Sequence, residues 1–103
     1  MDELEFQGAR LLSALGRGIR VQLVGLLRQR DMSVSEIMAA LGRSQSVVSH
    51  HLGVLRAHDV VRFRVQGRLV IYSLKDRSVL KITDEACRFA RRAAGKTQRP
   101  ERT

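Results

Sequence analysis

Apolar residues recur along this chain at helical spacing, then at every second position, then at helical spacing again. Leu4, Gly8, Leu11, Leu12 and Leu15 mark a first amphipathic helix that stops near Gly16. A second runs from Gly18 to Gln29, with Val21, Leu23, Val24, Leu26 and Leu27 apolar enough to be largely buried. Ser33-Val34-Ser35-Glu36 reads as a capping box, in which hydroxyl and carboxylate satisfy free backbone amides at a helix start. Val34, Ile37, Met38 and Leu41 then form the stripe of a third, short helix. Gly42-Arg43 is a tight turn, and Ser44 caps a fourth helix that ends near His58-Asp59.

That fourth helix carries two faces. With about 100° per residue, Leu52 and Leu55 fall within about 40° of Val48 and form one apolar stripe. Ser46, Ser49, His50 and Gly53 fall away from it, small or hydrogen-bonding, with no acid among them. A solvated helix face is usually laced with Glu and Lys. A face of hydroxyls, imidazole and no bulk suits close approach to base edges in a major groove. Two helices joined by a tight turn, the second polar on its outer side, make a helix-turn-helix.

From Val61 to Leu74 the period changes to two. A turn at Gly67-Arg68, with glycine in the first central place as type II′ prefers, pairs Val65 with Val70, Phe63 with Tyr72 and Val61 with Leu74. All six fall on one face, and Arg62, Arg64, Gln66, Leu69, Ile71 and Ser73 on the other. A slip of one residue would scramble this segregation, which fixes the register. The hairpin therefore has an apolar back, a basic front strand and Arg68 at its tip: a wing. After it, Val79, Ile82, Ala86, Phe89, Ala90 and Ala93 define a last helix of about four turns. Its small-residue stripe suits another helix better than a large core, so the first and last helices are the expected homodimer surface.

The expected fold is mainly α with a β-hairpin: five helices and a two-stranded wing over residues 1–94, then a disordered basic tail over 95–103. Charge sharpens this picture. The chain has 103 residues and a formal net charge of +9. Residues 1–42 are balanced, so the whole excess lies from the candidate reading helix onward. Such asymmetry favours a polyanion, because each phosphate neutralised releases counterions. No stretch approaches a membrane span, the acidic start is no signal peptide, and the single cysteine excludes an internal disulfide framework; the expected location is cytoplasmic.

The stretch from Ala14 to Leu74 resembles the ArsR/SmtB family of small bacterial winged-helix repressors. The residues carrying the likeness are Ser-Gln-Ser-Val-Val-Ser-His-His-Leu at Ser44 to Leu52 and the wing from Val60 to Leu74. The resemblance implies a homodimer that binds an operator dyad and blocks transcription until a signal releases it. Two departures stand out. Arg17-Gly18-Ile19-Arg20 replaces the family's frequent Asp-Pro-Thr-Arg ahead of the second helix. The family's metal sites are also missing: no cysteine lies in Ser33 to Leu41, and no histidine follows His58 to join Asp76, Asp84 and Glu85. These carboxylates read as ordinary charges on a solvated helix, and no metal or other cofactor is expected.

The residues expected to touch double-stranded operator DNA are Arg43, Ser44, Gln45, Ser46, Ser49, His50 and His51 from the helix-turn-helix, with Arg62, Arg64, Gln66 and Arg68 from the wing. His51, about 60° from Val48, reads equally as a packed or phosphate-touching histidine and as a base reader. The wing residues are expected mainly on phosphate, giving affinity more than sequence choice. Cys87 flanks the last helix's apolar stripe, either as an inert filler or as a redox sensor. The leading function is a sequence-specific repressor with an inducer the sequence does not name. Its rivals are a non-specific architectural DNA binder, a redox-responsive repressor acting through Cys87, and a winged helix that only pairs with another regulator. An enzyme is not expected, since no nucleophile–base pair, catalytic carboxylate pair or phosphate loop is discernible.

Overall fold

The computed structural model describes residues 1–96. Helix α1 (Glu3–Leu15) is followed by α2 (Gly18–Gln29), the short strand β1 (Met32–Ser33), α3 (Val34–Leu41), α4 (Gln45–Ala57), the hairpin β2 (Val61–Gln66) and β3 (Leu69–Leu74), and α5 (Val79–Lys96). Five helices and a wing appear where the periodicity placed them. The helix α5 continues through Gly95 and Lys96, past the expected boundary at Ala94; the remainder of the expected tail, 97–103, lies outside the described residues.

Local chemistry sets the helix ends. Asp2 and Glu5 form a capping box at α1, and Ser33 and Glu36 form the one read from the sequence at α3. The α3–α4 turn places Gly42 in the left-handed region at φ 63°, where the Gly42 and Arg43 amides both donate to the Met38 carbonyl. Asp59 does the same duty after α4 at φ 59°, with the Val60 amide returning to the Leu55 carbonyl and the Asp59 amide to Arg56. A short polar side chain tolerates that conformation where most L residues do not.

The core is one cluster. Leu23, Val24 and Leu27 of α2 meet Ile37 of α3, Val48, Leu52 and Leu55 of α4, and Val61 at the wing's root. Leu15, Met32, Leu74 and Val79 close its edges. This packing fixes α4 by its apolar stripe and leaves its opposite side to solvent.

The hairpin register matches the expectation at each pair, Val61 with Leu74, Phe63 with Tyr72 and Val65 with Val70. Gly67 alone of the two turn residues has positive φ, as a type II′ turn demands. A third strand was not foreseen: β1 pairs antiparallel with β3, Met32 opposite Tyr72 and Ser33 opposite Ile71. Only the wing's root is buried. Val65 is 68% exposed and Phe63 42%, so the apolar back projects beyond the core. Phe63 packs on Tyr72 with ring centres 5.6 Å apart, and the Arg56 guanidinium of α4 lies 4.8 Å from the Phe63 ring centre.

Candidate nucleic-acid interface

Helix α4 begins where the Ser44 hydroxyl accepts from the Val47 amide, leaving the preceding Arg43 and the following Gln45 and Ser46 exposed. Val48, Leu52 and Leu55 have no exposed surface, while Ser49, His50 and Gly53 on the other side are open. A Cβ added to Gly53 would meet nothing within 4 Å, so the fold itself does not require glycine there. The outer surface of α4 is thus low, polar and free of acids.

His51 departs from that group. It is 8% exposed, and its Nδ1 accepts a hydrogen bond of 3.1 Å from Nε of Arg20, itself 8% exposed in α2. A second nitrogen of the same guanidinium donates to the Ala14 carbonyl at the end of α1, also at 3.1 Å. Burial holds the imidazole below its ordinary pKa, and the charges of Arg20, His50, Arg17 and Arg43 push the same way. The ring is therefore neutral with Nδ1 unprotonated. His51 is thus packed against α2, in line with the first of the two readings left open by its place at the stripe's edge. Its neighbour His50, edge-on at 5.0 Å between ring centres, keeps its exposure.

In the wing, Arg62, Arg64, Gln66 and Arg68 are all exposed. Arg68 and Leu69 at the tip share a hollow of about 290 Å³ with Ser33, Ser35 and Gln45, so the tip stands beside the start of both α3 and α4. Arg64 is engaged by Asp31, just before β1, at 2.8 Å. That pairing was not visible in the sequence, where the two residues are far apart. Among the described residues Arg43, Arg62 and Arg68 have no acidic partner.

Cys87 is exposed and lies in the wall of an apolar hollow of about 270 Å³ with Leu12, Leu15, Val21, Ile82 and Ala86. The carboxylates of this region are committed: Asp84 to Arg28 and Glu85 to Arg88 on α5, while Asp76 ahead of α5 accepts from the Ser78 amide. Among the described residues no three His, Cys, Asp or Glu side chains are grouped to hold a metal ion. A metal site of the kind the ArsR/SmtB likeness implies does not fit this donor set. No helix among the described residues is long and apolar enough to cross a membrane.

Comparison with known proteins places this geometry. A transcriptional repressor SmtB homolog of Synechocystis is 38% identical over 79 residues, covering 77% of this chain and 60% of that protein. The transcriptional activator HlyU of Vibrio cholerae is 33% identical over 82 residues, covering 77% of this chain and 76% of that one. The solution structure of the homodimeric winged helix-turn-helix DNA-binding domain Mb0332 from Mycobacterium bovis superposes with a TM-score of 0.80 at 26% identity, covering 95% and 91% of the two chains. The chain thus spans less than two thirds of the first of these relatives. The model of the bacterial regulatory protein, arsR family, matches residues 17–62, from the start of α2 through the reading helix into the wing, and the chain belongs to that family.

Proposed function

We propose that this protein is a homodimeric, sequence-specific transcriptional repressor that reads double-stranded DNA with α4 and steadies itself on the flanking backbone with the wing. The observation that carries the reading is the exposed, acid-free face of α4 beside a wing tip whose Arg68 shares a hollow with Gln45. Gln45, Ser46, Ser49 and His50 are assigned to base edges, where amide, hydroxyl and imidazole groups can donate or accept. Arg43, Ser44, Arg62, Arg64, Gln66 and Arg68 are assigned to phosphate, which positions the protein without specifying sequence. His51 is left out of both groups.

Dimerisation is supported by what a single chain leaves bare. Leu4 is 83% exposed, Leu12 60% and Phe89 68%, on α1 and α5. A monomer seldom tolerates such apolar surface on adjoining helices. A two-fold pair would present two copies of α4 to successive major grooves, so a palindromic site is expected. Occupying it would obstruct transcription. The place of action is the cytoplasm, where the chromosome lies, and no catalytic step is involved.

The test is selection of bound duplexes from a randomised pool, followed by competition against random duplex at one stated salt concentration. A palindromic motif bound about a thousandfold or more tighter than random DNA supports the reading. Equal affinity for all duplexes makes the protein an architectural DNA binder. A reporter carrying the selected motif within its promoter should then fall in output when the protein is present.

A further inference from the structure

His51 sits one residue from His50 on α4, yet its hydrogen-bond partner is an arginine, a group that cannot give up its proton. Nε of Arg20 donates to Nδ1 of His51, and Nη1 of the same guanidinium donates to the carbonyl of Ala14. One side chain from α2 thereby fastens the reading helix to the last turn of α1, the helix whose bare face is the proposed dimer surface. The link exists only while the imidazole is neutral. A proton on Nδ1 would turn the acceptor into a second donor and set two cations against each other in a buried place.

We propose that the Arg20–His51 hydrogen bond positions the reading helix for DNA, and that protonation of His51 breaks it and releases DNA at acid pH. The inference rests on the DNA-binding function proposed above. The groups acting on the ring offer a proton no compensation. Arg20 approaches from α2, Arg17 from the residue just before it, Arg43 from the α3–α4 turn and His50 from α4 itself, and α1 contributes the Ala14 carbonyl, already taken by Arg20. His51 is a positioning residue, acting through the orientation of Ser49 and His50 beside it.

The sign of the effect is diagnostic. The chain has three histidines. Protonating exposed His50, or half-buried His58, or any carboxylate, adds positive charge and strengthens attraction to phosphate as pH falls. Affinity that weakens on acidification therefore runs against the charge gained, and its loss in His51→Asn separates His51 from the carboxylates and from His50.

The experiment follows affinity of the full chain for the duplex it selects from a randomised pool, from pH 8 to pH 5 at constant salt. The parent should hold its affinity near neutrality and lose up to about tenfold per pH unit per subunit once His51 titrates, below about pH 6.5. His51→Asn retains an acceptor near the Nδ1 position but does not titrate; it should match the parent at pH 7.5 and lose the acid limb. An identical acid limb in parent and variant overturns the proposal, as does an affinity that rises steadily on acidification. Should the variant fail to fold, the ring nitrogen shifts of His51 in the parent decide. Nδ1 unprotonated at pH 7.5, with a titration midpoint that tracks loss of binding, supports it; Nδ1 protonated at pH 7.5, or titration without loss of binding, overturns it. Discrimination between selected and random duplex at pH 7.5 without a His51-dependent limb sinks this inference alone. Absence of discrimination at every pH sinks the DNA-reading function and this inference with it.

Discussion

Asp31 holds Arg64 across the base of the wing at 2.8 Å, joining the residue before β1 to the basic front of β2. Both side chains are about half exposed, 46% and 51%, so the pair adds little to stability, at most about 1 kcal/mol. Its effect on function is larger, because Arg64 cannot serve Asp31 and a phosphate equally.

Asp31→Asn should therefore leave the melting temperature nearly unchanged while tightening binding to every duplex, with log K falling about 0.9 more steeply with log salt for each further phosphate neutralised. Arg68→Ala, which removes a cation without an acidic partner, should do the reverse. A fall in affinity for Asp31→Asn would mean the ion pair aims the wing. Loss of preference at one base pair in Arg68→Ala would mean the wing reads sequence.

Two glycines of the helix-turn-helix should respond with opposite signs. Gly42→Ala forces an L side chain into φ 63° and should cost about 1 kcal/mol of stability, read by thermal or urea unfolding. Gly53→Ala lies in an open helix interior with nothing within 4 Å and should stabilise by about 0.5–1 kcal/mol. Its added methyl nevertheless stands on the face assigned to DNA, so affinity for the selected duplex should drop. A Gly53→Ala protein that is more stable and binds equally well would move the contact surface off that part of α4.

Stability should fall on acidification in two windows. His51 has its folded pKa lowered by burial and neighbouring cations, so the unfolded chain binds the proton more readily. Its contribution is complete above the ordinary value near 6.5, declines as pH falls from there, and stops declining below the folded value. Glu36, held down chiefly by the Ser33 amide and then by Arg30, Asp59 by Lys75, and Asp76 by the Ser78 backbone, give up theirs only as pH falls below the ordinary carboxylate range. Melting curves of the parent and His51→Asn should separate in the first window and run parallel in the second.

Zinc, nickel, cadmium and arsenite should leave DNA affinity unchanged, since one thiol per chain and carboxylates already paired to arginine make a poor tetrahedral site. Metal-driven release of the duplex would contradict this. Peroxide is the contrasting probe: a response present in the parent and missing in Cys87→Ser would identify that thiol as a sensor through sulfenic acid or a bond between subunits. Identical behaviour would leave Cys87 as a wall of its apolar hollow.

Much of the fold was legible because its signals are local and repeated. The stripe of Val48, Leu52 and Leu55, the Ser33–Glu36 box and the alternating wing each recur over several residues, and the structure places them as read. What escaped was either too short or too distant. Strand β1 has two residues, one of which also caps α3, so no period could announce it. The Arg20–His51 and Asp31–Arg64 contacts join positions 31 and 33 residues apart. A helical wheel put His51 at the edge of the stripe but could not say that an arginine would reach it from α2. The apolar back of the hairpin was legible as a face, yet Arg56 and solvent cover it beyond its root.

The central claim is that the exposed side of α4 chooses the DNA sequence, and the Ser49→Ala, His50→Ala double variant tests it most directly. Both residues are exposed and neither belongs to the buried stripe, so the fold and dimer should survive, as judged by circular dichroism and sedimentation. The measurement is the ratio of affinities for the selected duplex and random duplex, for parent and variant, at one salt concentration. The account predicts that the variant keeps its random-duplex affinity within a few fold and loses about 1–3 kcal/mol of discrimination for each base contact removed. An unchanged ratio would contradict it and place the choice of sequence elsewhere in the molecule.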